Sequence, residues 1–356
     1  MSGGRRAAVW WILAAIWLLG AGVTWAVYLR ERAETERAAA RQRAWMKQVQ
    51  QTQAIKPAEH RPEEPKLKAQ TERLLADVQA LAFERYTDEA RARARGHIAH
   101  SLTRLGDLPA LHAFSGGVNV LVERPGTDAR AAAVLLGAHF DTVKGSPGAD
   151  DNASGVAVVL EVARLLSGRK FRRPLRLAFF DLEEQGLLGS ARYAASEERL
   201  DGLDSVVIVE MAGYCDRRKG SQGVPPGLPA GLAPDVGDFI AAVADLEHAA
   251  LLAPFRRAAG ADRPPVYALP VPEKGRALPD TRRSDHSPFW DRGVGAVLIT
   301  DTAELRSPHY HQPSDTPETL DPVFLTGVAT VVAEAVAELL DAPPATPPPA
   351  SPGSSQ

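Results

Sequence analysis

The hydrophobic pattern changes character several times along this 356-residue chain. From Ala7 to Leu29 it runs without a charge, AAVWWILAAIWLLGAGVTWAVYL. At the helical rise of 1.5 Å per residue this spans about 35 Å, against a bilayer core of about 30 Å. The stretch is longer than a signal-peptide core, and no small-x-small cleavage site follows it, so it predicts an uncleaved anchor over residues 1–29. Trp10, Trp11, Trp25 and Tyr28 lie near its ends, where aromatic rings favour the membrane interface. Residues 30–55, rich in Ala, Arg, Glu and Gln, predict a solvated helical stalk, and the prolines and charges of KPAEHRPEEPK at 56–66 predict a linker.

Beyond Leu67 the pattern becomes globular. Leu74, Leu75, Val78, Leu81 and Ala82 recur at helical spacing, and a second amphipathic helix follows over about 87–105. Short apolar runs then predict strands at 118–122, 133–138, 175–180, 206–209 and 296–299, with helices at 154–166 and 189–196 between them. Strands alternating with helices predict an α/β fold, a mixed, mainly parallel central sheet with helices on both faces. An apolar, alanine-rich helix over 322–340 closes the domain, which spans 67–341, and the Pro-rich tail 342–356 has a disordered composition. Residues 216–282, dense in Gly and Pro around a helical stretch near 236–252, read as an excursion from the sheet. It either covers the site as a lid or lies on the surface away from substrate.

Composition narrows the function. Net charge is −3 and the basic residues form no stripe, which argues against a nucleic-acid partner. The single cysteine, Cys215, excludes an intramolecular disulfide; no histidine motif surrounds it, so it reads as a packed side chain.

The chemistry lies in a series of short motifs: Gly137-Ala-His139-Phe-Asp141, Gly148-Ala-Asp150-Asp151-Asn-Ala-Ser-Gly155, Asp181-Leu-Glu183-Glu184-Gln-Gly186, Val209-Glu210-Met-Ala-Gly213 and Pro308-His309-Tyr310-His311-Gln-Pro-Ser-Asp315-Thr316. Each has the form of a strand end entering a polar or Gly-containing loop, and such loops converge at one edge of an α/β sheet. Each also has an ordinary reading by itself. Asp150 or Asp151 would cap the helix that follows, and Glu183-Glu184 would be a solvated pair. Together the imidazoles and carboxylates can hold two zinc ions, although oxygen and nitrogen ligands also admit cobalt or manganese.

In order and spacing these motifs, with Gly117-Val-Asn-Val-Leu-Val-Glu123 before them and Arg283-Ser-Asp285-His286-Ser-Pro-Phe289 ahead of the last, resemble the co-catalytic dizinc aminopeptidases of clan MH. That group includes bacterial leucyl aminopeptidases and, more distantly, glutaminyl cyclases and glutamate carboxypeptidases. The resemblance covers about 67–340 and implies a zinc exopeptidase (phosphorylase/hydrolase-like) fold acting on peptides with a free amino terminus. It implies Asp151, Glu184 and His311 on one zinc and Asp151, His139 and Glu210 on the other. Asp141 then holds the second ring nitrogen of His139, and a cis peptide follows Asp151. Many relatives carry aspartate where Glu210 stands. With Glu184 on metal, Glu183 is free to act as general base. Tyr310 is a candidate donor to the oxyanion, or else a packing residue. Asp285 and His286 are expected to line the substrate side.

Two alternatives accompany this reading: a glutaminyl cyclase, usually with one zinc, and an inactive ectodomain serving as a scaffold, which usually lacks ligands. Sidedness is also divided. A count of Lys and Arg about the anchor places the domain in the cytoplasm, whereas analogy with anchored hydrolases places it outside, in the periplasm or extracellular space, the expectation adopted here.

Overall fold

A computed structural model describes residues 3–58, 67–229 and 231–343. Most of the 56–66 linker and of the C-terminal tail therefore lies outside the described residues. The chain forms two units divided between Gln50 and Gln51. The described part of the first belongs to one helix, α1 (Gly3–Gln53), whose last three residues fall in the second unit; α1 runs through the uncharged segment and most of the stalk without a break, so the two segments expected separately are one element. No proline interrupts it, and Arg30 and Arg32 pair with Glu34 and Glu36 one turn on, at 3.0 and 3.1 Å. Trp10, Trp11, Trp17 and Trp25 stand exposed along it.

In the second unit, α2 (Thr71–Leu81) and α3 (Asp88–Thr103) precede β1 (Ala110–Phe114), β2 (Gly117–Arg124) and β3 (Ala133–His139). Next come α4 (Gly155–Leu165), β4 (Leu175–Phe180), α5 (Leu188–Ala194), α6 (Glu197–Leu200) and β5 (Leu203–Glu210). Then follow β6 (Asp216–Lys219), β7 (Val236–Gly237), β8 (Ile240–Asp245), α7 (Ala253–Ala258) and β9 (Val266–Val271). The chain ends with α8 (Ser287–Asp291), β10 (Gly295–Thr300) and α9 (Pro322–Asp341).

Eight strands form one sheet in the order β1-β2-β4-β3-β5-β10-β8-β9. The central four, β4-β3-β5-β10, are parallel; β2 joins antiparallel at one flank and β8 at the other. From β3 the chain builds β4 on one side and then β5 on the other. Loops leaving the carboxyl ends of β3 and β5 therefore diverge and open a crevice between them.

Side-chain alternation gives the sheet two different faces. Val134, Leu136, Val207, Val209, Val297 and Ile299 face the layer of α2, α4 and α9 and share its core. On the opposite face Phe180 packs against Tyr193 of α5 and Phe289 of α8, with ring centroids 6.0 and 6.3 Å apart. The helix layer is tied by charge as well: buried Glu161 of α4 accepts from the Gln70 amide at 2.9 Å, and Arg164 reaches Asp77 of α2 at 2.6 Å. Among the described residues α9 is apolar and long enough to cross a membrane, but 72% of its apolar window is buried, which makes it a core helix.

The 216–282 excursion is only partly one. β8 and β9 belong to the main sheet, and the helix expected near 236–252 is β7, β8 and a short turn over Leu246–Leu252. The run Ile240–Ala244 is apolar at every position because both its faces are buried, so no period distinguishes strand from helix. β1, Ala-Leu-His-Ala-Phe, is largely exposed at the sheet edge and pairs with β2 alone.

Leu160 of α4 is fully buried, so Leu160→Ala should destabilise by about 2–5 kcal/mol. Asp321→Ala, which removes the carboxylate accepting from the Val323 and Phe324 amides at the start of α9, should cost about 1 kcal/mol. Urea unfolding of the full chain checks the ranking; equal midpoints for the two variants would contradict it.

Candidate metal centre

The crevice gathers side chains from four strand ends. His139 is the last residue of β3, Glu183 and Glu184 follow β4, and Glu210 ends β5. Asp151 precedes α4, and His311 lies in the segment after β10. Three non-glycine residues beside or within this set hold positive φ: Leu182 at 59°, Met211 at 46° and His311 at 58°. Such backbone costs roughly 1–3 kcal/mol each and persists where the surroundings impose it, as they do at functional sites.

The Asp151 carboxylate stands between two histidines. Its Oδ1 lies 3.4 Å from His139 Nε2 and its Oδ2 lies 3.2 Å from His311 Nε2. Glu210 lies 3.2 Å from His139 Nε2, and Glu184 lies 3.1 Å from His311 Nε2. The result is two three-residue groups sharing Asp151, each with its ligand atoms within 4.8 Å of one another. Glu183 belongs to neither group but lines the same cleft.

The surrounding residues hold each member in place. Asp141 faces His139 Nδ1 at 3.4 Å and accepts the backbone amides of Glu183 and Glu184 at 3.0 and 3.2 Å, so one carboxylate orients the ring and the glutamate pair together. Asp315 accepts the Asp150 and Asp151 amides at 2.8 and 3.1 Å. Asn152 accepts from Gly155 and Met211, at 3.1 and 3.0 Å, and donates to the Val209 carbonyl at 2.9 Å. Ser284 donates to Glu210 Oε2 at 2.7 Å. Asp150 turns away from the crevice: it accepts the Gly213 amide at 2.9 Å, and burial together with the adjacent Asp301 carboxyl pushes its pKa well up. The Asp151–Asn152 peptide is cis.

The donor set suits divalent cations. Asp141, Asp151, Glu183, Glu210 and Asp285 are buried around two imidazoles, with Glu184 at their edge. Burial and the neighbouring Asp151 charge raise the Glu184 pKa, while Asp151 is held low by its hydrogen bonds to the two histidines despite its burial. Both histidines are shifted up against the effect of burial: His139 chiefly by the charges of Glu210 and Glu183, and His311 by bonds to Asp151 and Glu184. Carboxylates crowded in this way need protons or cations between them. Glu184 Oε1 is buried in this cluster without a hydrogen-bond partner, and with the Asp151 carboxylate and the His311 ring nitrogen it borders a space that a cation would fill.

Below the cluster opens a cleft of about 930 Å³, its mouth included. Ala241, Val243, Leu269 and Leu298, on the sheet face opposite α4 and α9, form its floor, and Leu228 and Phe239 of the 216–282 segment line it as well. That segment is anchored: the Gly223 amide donates to Leu305 O at 2.6 Å, and Arg306 donates to Gln222 at 2.9 Å. Tyr310 lies at the cleft, its ring stacked on His311 at 3.8 Å, and Arg283 donates to its hydroxyl at 3.0 Å.

Asp285 and His286 do not line the cleft. Both are fully buried; His286 bonds Thr281 O at 2.8 Å and packs edge-on against Trp290, so it is Ser284 that faces the site. The supporting roles of Asp315, Asn152 and Ser284 had no signal in the sequence beyond their presence in or beside the motifs. Cys215 is half-buried, and burial pushes its thiol up to about 11, which leaves it no nucleophilic thiolate.

Similarity to known proteins follows the same region. Residues 119–336 match the family described as peptidase family M28. The uncharacterized protein YfbL of Escherichia coli (strain K12) is 36% identical over 202 residues, 53% of this chain and 61% of YfbL. Aminopeptidase YwaD of Bacillus subtilis (strain 168) is 42% identical over 82 residues, 22% of this chain and 18% of YwaD. The chain thus spans about three-fifths of one relative and under a fifth of the other. In fold it is similar to the LapA aminopeptidase of Legionella pneumophila, with a TM-score of 0.60 and 19% identity over 77% of this chain and 74% of that one. It is also similar to the glutaminyl cyclase of Porphyromonas gingivalis, with a TM-score of 0.55 and 19% identity over 77% of this chain and all of that one. The two solved structures bear on fold alone; the match over 119–336 covers more than half of the sequence, and the chain belongs to peptidase family M28.

Proposed function

We propose that this chain is a dizinc aminopeptidase, held to a membrane by its N-terminal helix, that removes apolar residues from the amino ends of peptides. One observation carries the reading: the two oxygens of Asp151 face different histidines, and each histidine has its own glutamate. His139, Asp151 and Glu210 would hold one zinc, and Asp151, Glu184 and His311 the other. Bound zinc supplies Lewis acidity, polarising the scissile carbonyl and bringing the pKa of water to about 7.

Glu183 is the general base. It stands outside both ligand groups, its amide is fixed by Asp141, and burial with the charges of Glu210, Asp285 and Glu184 raises its pKa against the pull of His139. A carboxylate so placed takes the proton of the attacking water and returns it to the leaving amine. Tyr310 donates to the oxyanion: its oxygen already accepts from Arg283, which leaves the hydroxyl proton for substrate. The substrate's ammonium meets the carboxylates at the head of the cleft, and its first side chain enters the apolar floor formed by Val243, Leu269 and Leu298.

The uncharged run inside α1 and the exposed tryptophans along it support the anchor, and the 42%-identical YwaD segment supports aminopeptidase action. A glutaminyl cyclase shares the fold. Two complete ligand groups favour the peptidase.

Chelation should abolish hydrolysis of leucyl anilide and zinc should restore it, with two zinc ions per chain by metal analysis; one tightly bound zinc would favour the cyclase. Glu183→Gln should lower kcat by about 10²- to 10⁴-fold and keep both metals, whereas loss of zinc would contradict its separation from the ligands. Leucyl substrates should exceed lysyl and glutamyl ones in kcat/KM by at least about 10²-fold, since a charge placed on the apolar floor loses hydration without a partner; equal rates would remove the cleft from the specificity argument. Deleting residues 7–29 should release the chain from the membrane fraction, and protease added to intact spheroplasts should digest the wild-type domain; protection there would place it in the cytoplasm.

A further inference from the structure

Arg85 lies in the segment between α2 and α3, ahead of the matched family region, and its side chain is fully buried. A buried guanidinium ordinarily takes a carboxylate partner, because its desolvation costs several kcal/mol. Arg85 takes six backbone carbonyls instead. It donates to Leu81 and Phe83 at the end of α2, to Phe140 at 2.5 Å, to Pro147 and Gly148 at 2.9 Å each, and to Asp151 at 3.4 Å. Its own amide donates to Thr142 at 2.8 Å.

Four of those acceptors belong to the two segments that carry the candidate metal ligands. Phe140 stands between His139 and Asp141, and Pro147 to Asp151 form the turn that delivers the bridging carboxylate. Gly148 has a φ of 61°, and a Cβ there would lie 2.2 Å from Asp151 O and 2.8 Å from Arg85 Nη2, so the turn closes against the guanidinium with no room to spare. The charge is also complementary. Burial lowers the Arg85 pKa to about 10, and the carboxylates of Asp151, Asp141, Asp315 and Glu184 work in the other direction. The cation thus remains charged at neutral pH and sits behind the ligands as their permanent counter-charge.

We propose that Arg85 is a positioning residue for the metal pair: it sets the distance between His139 and Asp151 through the backbone carbonyls it gathers. The inference rests on the dizinc reading. Residues that orient metal ligands from outside typically change affinity by about 10- to 100-fold when removed.

The test is zinc affinity of the full-length protein, measured by competition with a chromophoric chelator, for wild type, Arg85→Met, Arg85→Lys and Leu160→Ala. Leu160→Ala serves as a control for general loss of stability remote from the centre. Arg85→Met should bind zinc about 10- to 100-fold more weakly. Arg85→Lys, which keeps the charge but has three donors in place of five, should fall between it and wild type. Leu160→Ala should keep wild-type affinity. Wild-type affinity in a folded Arg85→Met protein overturns the proposal, as does equal weakening in Leu160→Ala. Failure of both Arg85 variants to fold also overturns it, since Arg85 would then serve the fold alone. A wild-type protein that takes up no zinc overturns the dizinc reading itself, a result distinct from any pattern among the variants.

Discussion

Carboxylates buried close together repel one another, and the structure of this domain is organised around offsetting that repulsion. Asp141, Asp151, Glu183, Glu184, Glu210 and Asp285 meet at the carboxyl ends of the parallel strands, with two histidines between them. Backbone amides neutralise part of the charge. Asp141 takes two from the glutamate loop, and Asp315, itself pushed up to about 7 by burial and the nearby Asp150, takes two from the Asp150-Asp151 turn. Arg85 adds a full positive charge from behind. What these donors leave uncompensated is the charge on the ligand atoms facing the cleft, and a pair of divalent cations between them would balance it.

The same constraint explains the architecture around the site. Parallel strands bring several loops to one edge, and the reversal of chain direction after β3 separates two of them. One face of the sheet is packed under α2, α4 and α9. On the other, α5 and α8 cover the side of Phe180, while β8, β9 and β10 leave room for an apolar cleft. Chemistry and specificity thus occupy neighbouring parts of one sheet, the charged groups at the strand ends and the apolar floor along the strand faces. Local strain at Leu182, Met211 and His311 is tolerated where tightly bonded loops fix the backbone beside the ligands.

Long periodic elements were legible in the chain. The predicted strand of 175–180 appears with the same bounds, those of 133–138 and 206–209 extend by one to three residues at their ends, and the closing helix gains one residue. The five side chains read from the motifs meet in space, because strand-end motifs in a parallel sheet are carried to a common edge whatever the intervening loops do. β8 was not legible, since a strand buried on both faces shows no alternation, and β1 was not, since an edge strand is held by its partner. Asp285 and His286 looked like substrate contacts by adjacency, yet the turn into α8 presents Ser284 to the cleft and buries the two residues after it.

Sequence alone determined the α/β alternation, the uncharged N-terminal run and the identity of the chemical groups, because those depend on residue type and local period. Tertiary structure decided which groups face each other: that Asp151 stands between two histidines while Asp150 pairs with Asp301, that Asp141 serves both His139 and the glutamate loop, and that Arg85 spans two segments far from it along the chain. Apart from the His139–Asp141 contact, these join residues about ten to more than a hundred positions apart. Their geometry is set by sheet order and loop packing, to which no local pattern is sensitive.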